Sequence, residues 1–228
     1  MNRGLSIGLG VFVFTYILYF GTWRSDKTKI KEDILDNSNR ENGLLRVNYQ
    51  NIEEDYIKII CLGDSHSKHD KVTVPPGDVL LHSGDFSMFG KETDIISFNK
   101  WLGTLPHQYK IVVSGNHDGG GKGHFFNGVG PQQLGKLKKL LSNAIVLKDQ
   151  AVELPIRRTK KVLHVYGSPW QPQYHGFSTY ASEKVAETRW RKTMPPNQID
   201  VLLTHTPPFS IFDQDRMEDR IGIGSKSL

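Results

Sequence analysis

The chain has almost no cysteine: Cys61 is the only one among 228 residues, and it sits inside the apolar run YIKIICLG. A disulfide framework is thereby excluded, and that thiol reads more simply as a small buried hydrophobe than as a nucleophile. N-x-Ser/Thr acceptors and internal repeats are absent as well. The formal net charge is +5, but the basic excess is scattered, and its densest group, Arg157, Arg158, Lys160 and Lys161, lies between two apolar runs like a solvated hairpin tip. Without interleaved aromatics such a group makes a poor nucleic-acid surface, so no nucleic-acid partner is expected. The glycine-rich stretch Gly119 to Gly123, GGGKG, lacks the G-x-x-x-x-G-K-[ST] order of a phosphate loop and reads as a flexible loop.

One long uncharged run is present. Gly4 to Trp23, GLSIGLGVFVFTYILYFGTW, holds 20 residues between Arg3 and Arg24, long enough to cross a hydrocarbon core as a helix with Tyr19 and Trp23 at the interface. A cleaved signal peptide requires small residues before the cut, and Tyr19, Phe20 and Trp23 occupy those places. The expectation is therefore an uncleaved, single-pass N-terminal transmembrane helix over residues 1–23. Arg24, Lys27, Lys29 and Lys31 follow it, which places the remainder on the cytoplasmic side of the membrane. Residues 24–55 are mostly Lys, Glu, Asp, Asn and Ser and read as a polar linker. The folded domain is expected over 56–228.

Within that domain, strand and helix patterns alternate. Ile57–Leu62, Val79–His82, Ile111–Ser114, Val162–Tyr166 and Val201–Thr204 are short apolar or β-branched runs, each followed by polar or turn residues. Between them, Ile95, Phe98, Leu102 and Leu105 recur at helical spacing, as do Leu134, Leu137, Leu140 and Leu141, and SEKVAETRWRK is a third helical segment. The spacing after Leu141 suggests a second sheet. The expected fold class is α/β, a layered sandwich of two β-sheets flanked by helices.

The ends of these strands carry the chemistry. IICLGDSH releases Asp64 and His66, VLLHSGDF releases Asp85, IVVSGNHD releases Asn116, His117 and Asp118, and VLLTHTPP releases His205. Where such strands run parallel, their carboxyl ends share one edge of the sheet, and α/β proteins build sites there. Carboxylates, imidazoles and an amide oxygen make a mixed O/N set suited to Mn, Fe or Zn. A carboxylate at Asp85 can bridge two cations roughly 3.5–4 Å apart, the spacing of hydrolytic two-metal sites. His69, His82, His107, His124, His164 and His175 read as ordinary, locally satisfied histidines.

D-x-H at Asp64 to His66, G-D at Gly84 and Asp85, G-N-H-D at Gly115 to Asp118 and the later His205 resemble the calcineurin-like metallophosphoesterases. The fuller stretches GDVLLHSGDF, FNKWLGTLPHQYKIVVSGNHD, VYGSPWQP and LLTHTPP are similar to the animal subfamily of metallophosphoesterase domain-containing proteins. The resemblance implies a dinuclear site of two divalent metal ions that hydrolyses phosphoesters, with cyclic nucleotide-type phosphodiesters as substrates. It also implies that Asp64, His66 and Asp85 hold one metal and that Asp85, Asn116 and His205 hold the other. A metal-bound hydroxide attacks phosphorus, His117 donates a proton to the leaving oxygen or clamps the phosphate, and Asp118 orients His117. The family pattern ends in G-H-x-H, whereas no histidine follows His205 in this sequence. The domain is therefore expected to lack its C-terminal part, and a catalytically impaired, membrane-attached relative that binds nucleotide or a protein partner is the alternative reading.

Overall fold

The computed structural model describes residues 12–19, 40–41, 44–45, 56–119, 131–171, 182–196 and 198–209. In chain order these form strands β1 (Phe12–Tyr19), β2 (Arg40–Glu41), β3 (Leu44–Leu45), β4 (Tyr56–Gly63) and β5 (Val79–His82), helix α1 (Glu92–Thr104), strand β6 (Tyr109–Val112), the short helix α2 (Asn116–Gly119), helix α3 (Pro131–Leu140), strands β7 (Ile145–Val146), β8 (Gln150–Ile156) and β9 (Lys161–Ser168), helix α4 (Glu183–Thr193) and strand β10 (Val201–Thr204). The first sheet has the order β1-β4-β5-β6-β7, with β4 to β7 parallel, and the second has the order β10-β9-β8, with β10 parallel to β9.

The apolar runs of β4 and β5 follow from burial on both faces, where alternation would leave polar groups in a core. On β4, Ile57 and Ile59 point to one side with Val79 and Leu81 of β5, and meet Leu154, Ile156, Leu163, Val165 and Leu203 of the second sheet. Ile60, Leu62 and Leu80 point to the other side and meet Ile95, Phe98 and Leu102 of α1, with Leu137 of α3 and the adjacent Leu141. The outer face of the second sheet is covered by α4, through Tyr166, Trp170, Ala186 and Trp190. The layers therefore run helices, sheet, sheet, helix, and the two-sheet sandwich expected from the alternating pattern is the observed architecture.

Two expectations change. The expected membrane-spanning helix lies partly outside the described residues, and its described portion is a strand: β1 pairs antiparallel with β4, from Phe12 opposite Gly63 to Tyr19 opposite Tyr56. FVFTYILY is rich in aromatic and β-branched residues, which suit a strand, and β4 otherwise presents an edge with unpaired N–H and C=O groups. Among the described residues no helix is long and apolar enough to cross a membrane. The expected linker 24–55 contributes only the two-residue pair β2 and β3, while the rest of it, most of the GGGKG loop and residues 210–228 lie outside the described residues. Second, the basic tip between β8 and β9 is the exposed hairpin turn expected, but one of its residues, Arg158, also ties the two sheets together. Arg158 Nε and Nη2 donate to the two carboxylate oxygens of Asp78 at 3.0 and 2.8 Å, while Asp78 Oδ2 accepts from Lys58 N–H at 2.7 Å.

Gly167 of β9 lies close against the first sheet. A Cβ there would overlap Leu147 Cβ and stand 2.8 Å from Leu147 Cδ1 and 3.0 Å from Val113 Cγ1. Gly167→Ala is expected to destabilise the fold by ~1–3 kcal/mol through overpacking, read as a lower urea midpoint with an unchanged m value.

Candidate metal centre

The site begins with backbone. Past β4 and β5 the two loops zip together: Asp64 N–H donates to Gly84 O at 3.0 Å, His66 N–H to Asp85 O at 2.9 Å and Ser67 N–H to Phe86 O at 3.0 Å. This pairing holds Asp64 (φ 53°), His66 (φ 42°), Ser67 (φ 60°) and Asp85 (φ 54°) in the left-handed region, at a cost of order 1–3 kcal/mol each. Gly84 has φ 105°, and a Cβ on it would meet Gly115 N at 2.5 Å and His205 Nδ1 at 2.9 Å, so the β5 loop can lie against the β6 loop only without a side chain there.

This framework aims the carboxylate of Asp85, 3% exposed, between two groups of donors. Its Oδ2 lies 3.7 Å from His66 Nε2, which is itself 3.9 Å from Asp64 Oδ1. Its Oδ1 lies 3.7 Å from His205 Nε2 and accepts the backbone N–H of His117 at 2.8 Å. The ligand atoms of Asp64, Asp85 and His205 fall within 4.8 Å of one another, and so do those of His66, Asp85 and His117, with Asp85 common to both groups.

His205 supplies a direct test of fit. Its Nδ1 lies 2.9 Å from the carbonyl oxygen of Ser83; a carbonyl only accepts, so Nδ1 carries the proton. In the neutral ring Nε2 then turns a lone pair toward Asn116 Oδ1, 2.9 Å away. A cation placed between these two electron-pair donors would be held by both. The set of carboxylates, imidazoles and an amide oxygen without a thiolate fits Mn, Fe or Zn. Burial raises the pKa of Asp64 and Asp85 adds to the rise, against the pull of His205, His66 and His117. Burial lowers that of His66 against the pull of Asp85, which favours the neutral imidazole a metal requires.

His117 stands edge-on to His66, with ring centroids 4.6 Å apart. Its Nδ1 lies 2.7 Å from the carbonyl oxygen of Met88, so Nδ1–H donates there. Asp118, expected to orient that ring, has its carboxylate engaged elsewhere: Oδ1 accepts from Ser87 N–H and Ser87 Oγ, each at 2.8 Å, and Oδ2 from Gly115 N–H at 2.9 Å and Phe86 N–H at 3.4 Å. It braces the β5 loop against the β6 loop. Burial, reinforced by Asp85, pushes its carboxyl up to about 7 despite those donors.

The structure thus brings Asp64, His66, Asp85, Asn116, His117 and His205 together and places Asp118 behind them. Sequence reasoning could not find the Met88 and Ser83 carbonyls, because every residue carries one and only the fold selects which is used. It also passed over His82, which is fully buried beneath the loops. Its only signal was a histidine closing an otherwise apolar strand.

Two outcomes follow. Asp118→Asn turns one acceptor oxygen into a donor facing N–H and O–H groups, and is expected to cost ~1–3 kcal/mol in chemical denaturation of the metal-free chain. Burial pulls His82 down to about 3 from an ordinary 6.5. A depressed imidazole stabilises the fold above 6.5 and loses that contribution as pH falls toward 3, because only the unfolded chain takes the proton. The stability difference between the wild type and His82→Gln should therefore shift against the wild type by up to ~1.4 kcal/mol per pH unit below 6.5.

Residues 57–223 match the family model for calcineurin-like phosphoesterase. Metallophosphoesterase domain-containing protein 1 of Homo sapiens is 34% identical over 174 residues, covering 69% of this chain and 51% of that protein. A UPF0046 protein of Caenorhabditis elegans is 36% identical over 169 residues, covering 70% of this chain and 54% of its own length. The chain spans about half the length of these curated relatives.

Proposed function

Because the chain belongs to the calcineurin-like phosphoesterase family, we propose that it hydrolyses phosphoesters in a metal-dependent reaction, with cyclic nucleotide-type phosphodiesters as the substrate class. The observation that carries the reading is the division of Asp85: one oxygen faces His66 and the other faces His205, at 3.7 Å each. Asp64, His66 and Asp85 Oδ2 would hold one divalent cation, and Asp85 Oδ1, Asn116 and His205 the other. Bound there, Mn, Fe or Zn supplies Lewis-acid polarisation of a phosphoryl oxygen and a nucleophile from water at neutral pH.

The chain's own residues do the rest. Asp85 is fixed by the N–H of His117, so its carboxylate does not swing toward either side. His117 in its doubly protonated form keeps Nδ1–H on the Met88 carbonyl and presents Nε2–H to the leaving oxygen. Proton donation of this kind is worth ~10²–10⁴-fold, and its value grows as the leaving group becomes more basic. The strained loops hold the donors in place before substrate arrives, which lowers the reorganisation needed at reaction.

The test is hydrolysis of bis(p-nitrophenyl) phosphate by the full chain with added Mn²⁺, beside Asp85→Asn and His117→Asn. Turnover that depends on Mn²⁺ and falls by at least ~100-fold in Asp85→Asn supports the reading. His117→Asn should lose more kcat with an alkyl or nucleoside leaving group than with p-nitrophenolate, which departs without a proton. Folded wild type that binds Mn²⁺ and hydrolyses neither ester class would overturn it.

A further inference from the structure

His82 is fully buried at the end of β5, on the face that meets α1, with Phe98 5.0 Å and Phe86 6.2 Å from its ring centroid. An imidazole in so apolar a place needs both nitrogens satisfied, and both are. Nδ1 accepts the backbone N–H of Gly84 at 3.2 Å. A backbone N–H only donates, so Nδ1 is bare and the proton sits on Nε2. Nε2–H then donates to Ser65 Oγ at 3.3 Å, and the Ser65 hydroxyl hydrogen is directed to the Phe86 carbonyl at 3.5 Å. Every donor in this chain of bonds has a single direction.

Its two ends are informative. Gly84 and Phe86 flank Asp85, and Ser65 lies between Asp64 and His66. One side chain therefore joins the two left-handed loops that carry three of the candidate ligands, from beneath and without touching a ligand atom. Backbone held in such conformations persists only where its surroundings over-determine it. The backbone bonds between the loops fix their spacing, while the bonds through His82 fix how far each tilts toward α1.

We propose that His82 is a positioning residue of the metal centre, setting the tilt of the loops that carry Asp64, His66 and Asp85 through Ser65 and the Gly84 N–H. The proposal rests on the metal-centre reading above. Groups placed behind metal ligands typically change metal affinity by ~10–100-fold when removed, and His82 is expected to fall in that range.

The experiment is a calorimetric titration of the full 228-residue chain, metal-free at the start, with Mn²⁺ alone, and a thermal melt of each metal-free sample. His82→Phe keeps a flat ring of similar volume and loses both nitrogens. His82→Gln returns a donor near the Nε2 position, and Ser65→Ala removes the middle link with little change in volume. Mn²⁺ affinity should weaken ~10–100-fold in His82→Phe and in Ser65→Ala, recover in large part in His82→Gln, and be no worse in the double variant His82→Phe/Ser65→Ala than in the weaker single. If His82→Phe is too unstable to purify, Ser65→Ala and His82→Gln carry the comparison. A lowered melting temperature with wild-type Mn²⁺ affinity makes His82 a packing residue and overturns the proposal alone. Wild type that takes up no Mn²⁺ overturns both this proposal and the metal-centre reading, whereas wild type that binds Mn²⁺ without hydrolysing phosphoesters leaves the positioning role standing and removes only the function.

Discussion

A buried carboxylate shared between two groups of donors is the constraint on which the rest of this structure depends. Asp85 is almost wholly out of water, and an ionised carboxylate there is costly unless charge or hydrogen bonds compensate it. The N–H of His117 answers one oxygen; His66 and His205 stand 3.7 Å from the two oxygens, too far for direct hydrogen bonds. That spacing leaves room for cations between the carboxylate and the two rings. Seen in this way, the parallel strands, the close glycines and the left-handed loops are all means of delivering a carboxylate to a dry place with its two oxygens facing different ways.

Holding it there requires strain and support together. Asp64, His66, Ser67 and Asp85 adopt backbone conformations that L residues seldom take. Opposing that cost are the three backbone bonds between the β4 and β5 loops, the four donors gathered by Asp118 and the directed bonds through His82. These lie on different sides of the β5 loop, toward β4, toward β6 and toward α1. The scaffold beneath is stiff for a separate reason: the parallel strands are covered on both faces, by helices on one and a second sheet on the other.

The roles of the histidines divide according to what lies behind each ring. His205 and His117 each give Nδ1–H to a backbone carbonyl, of Ser83 and of Met88, so both present Nε2 to the site. His82 has the opposite tautomer because a backbone N–H, not a carbonyl, faces its Nδ1. The same side chain thus turns a different nitrogen outward according to which backbone group the fold sets against it.

The candidate ligand residues were legible as a cluster because they sit at strand ends, and a strand end is a local event: an apolar run stops and Asp64, Asp85, Asn116 or His205 follows. The layers were legible for a similar reason, since residues buried on both faces of β4 must be apolar throughout. What tertiary structure alone decided are relations between segments distant in sequence. Phe12–Tyr19 belongs to the uncharged run Gly4 to Trp23, which is long enough for a membrane helix, and its pairing with β4 depends on an open strand edge that no local pattern records. Arg158 looked solvated until Asp78, 80 residues away, was brought opposite it. Asp118 looked like a partner for its neighbour His117, yet Ser87, 31 residues earlier, claims one of its oxygens. Sequence by itself determined which chemical groups were available and the period at which they were buried, both being properties of consecutive residues. Only the folded chain decided which backbone N–H or carbonyl faces each ring and carboxylate, because hydrogen-bond partners are selected by proximity in space.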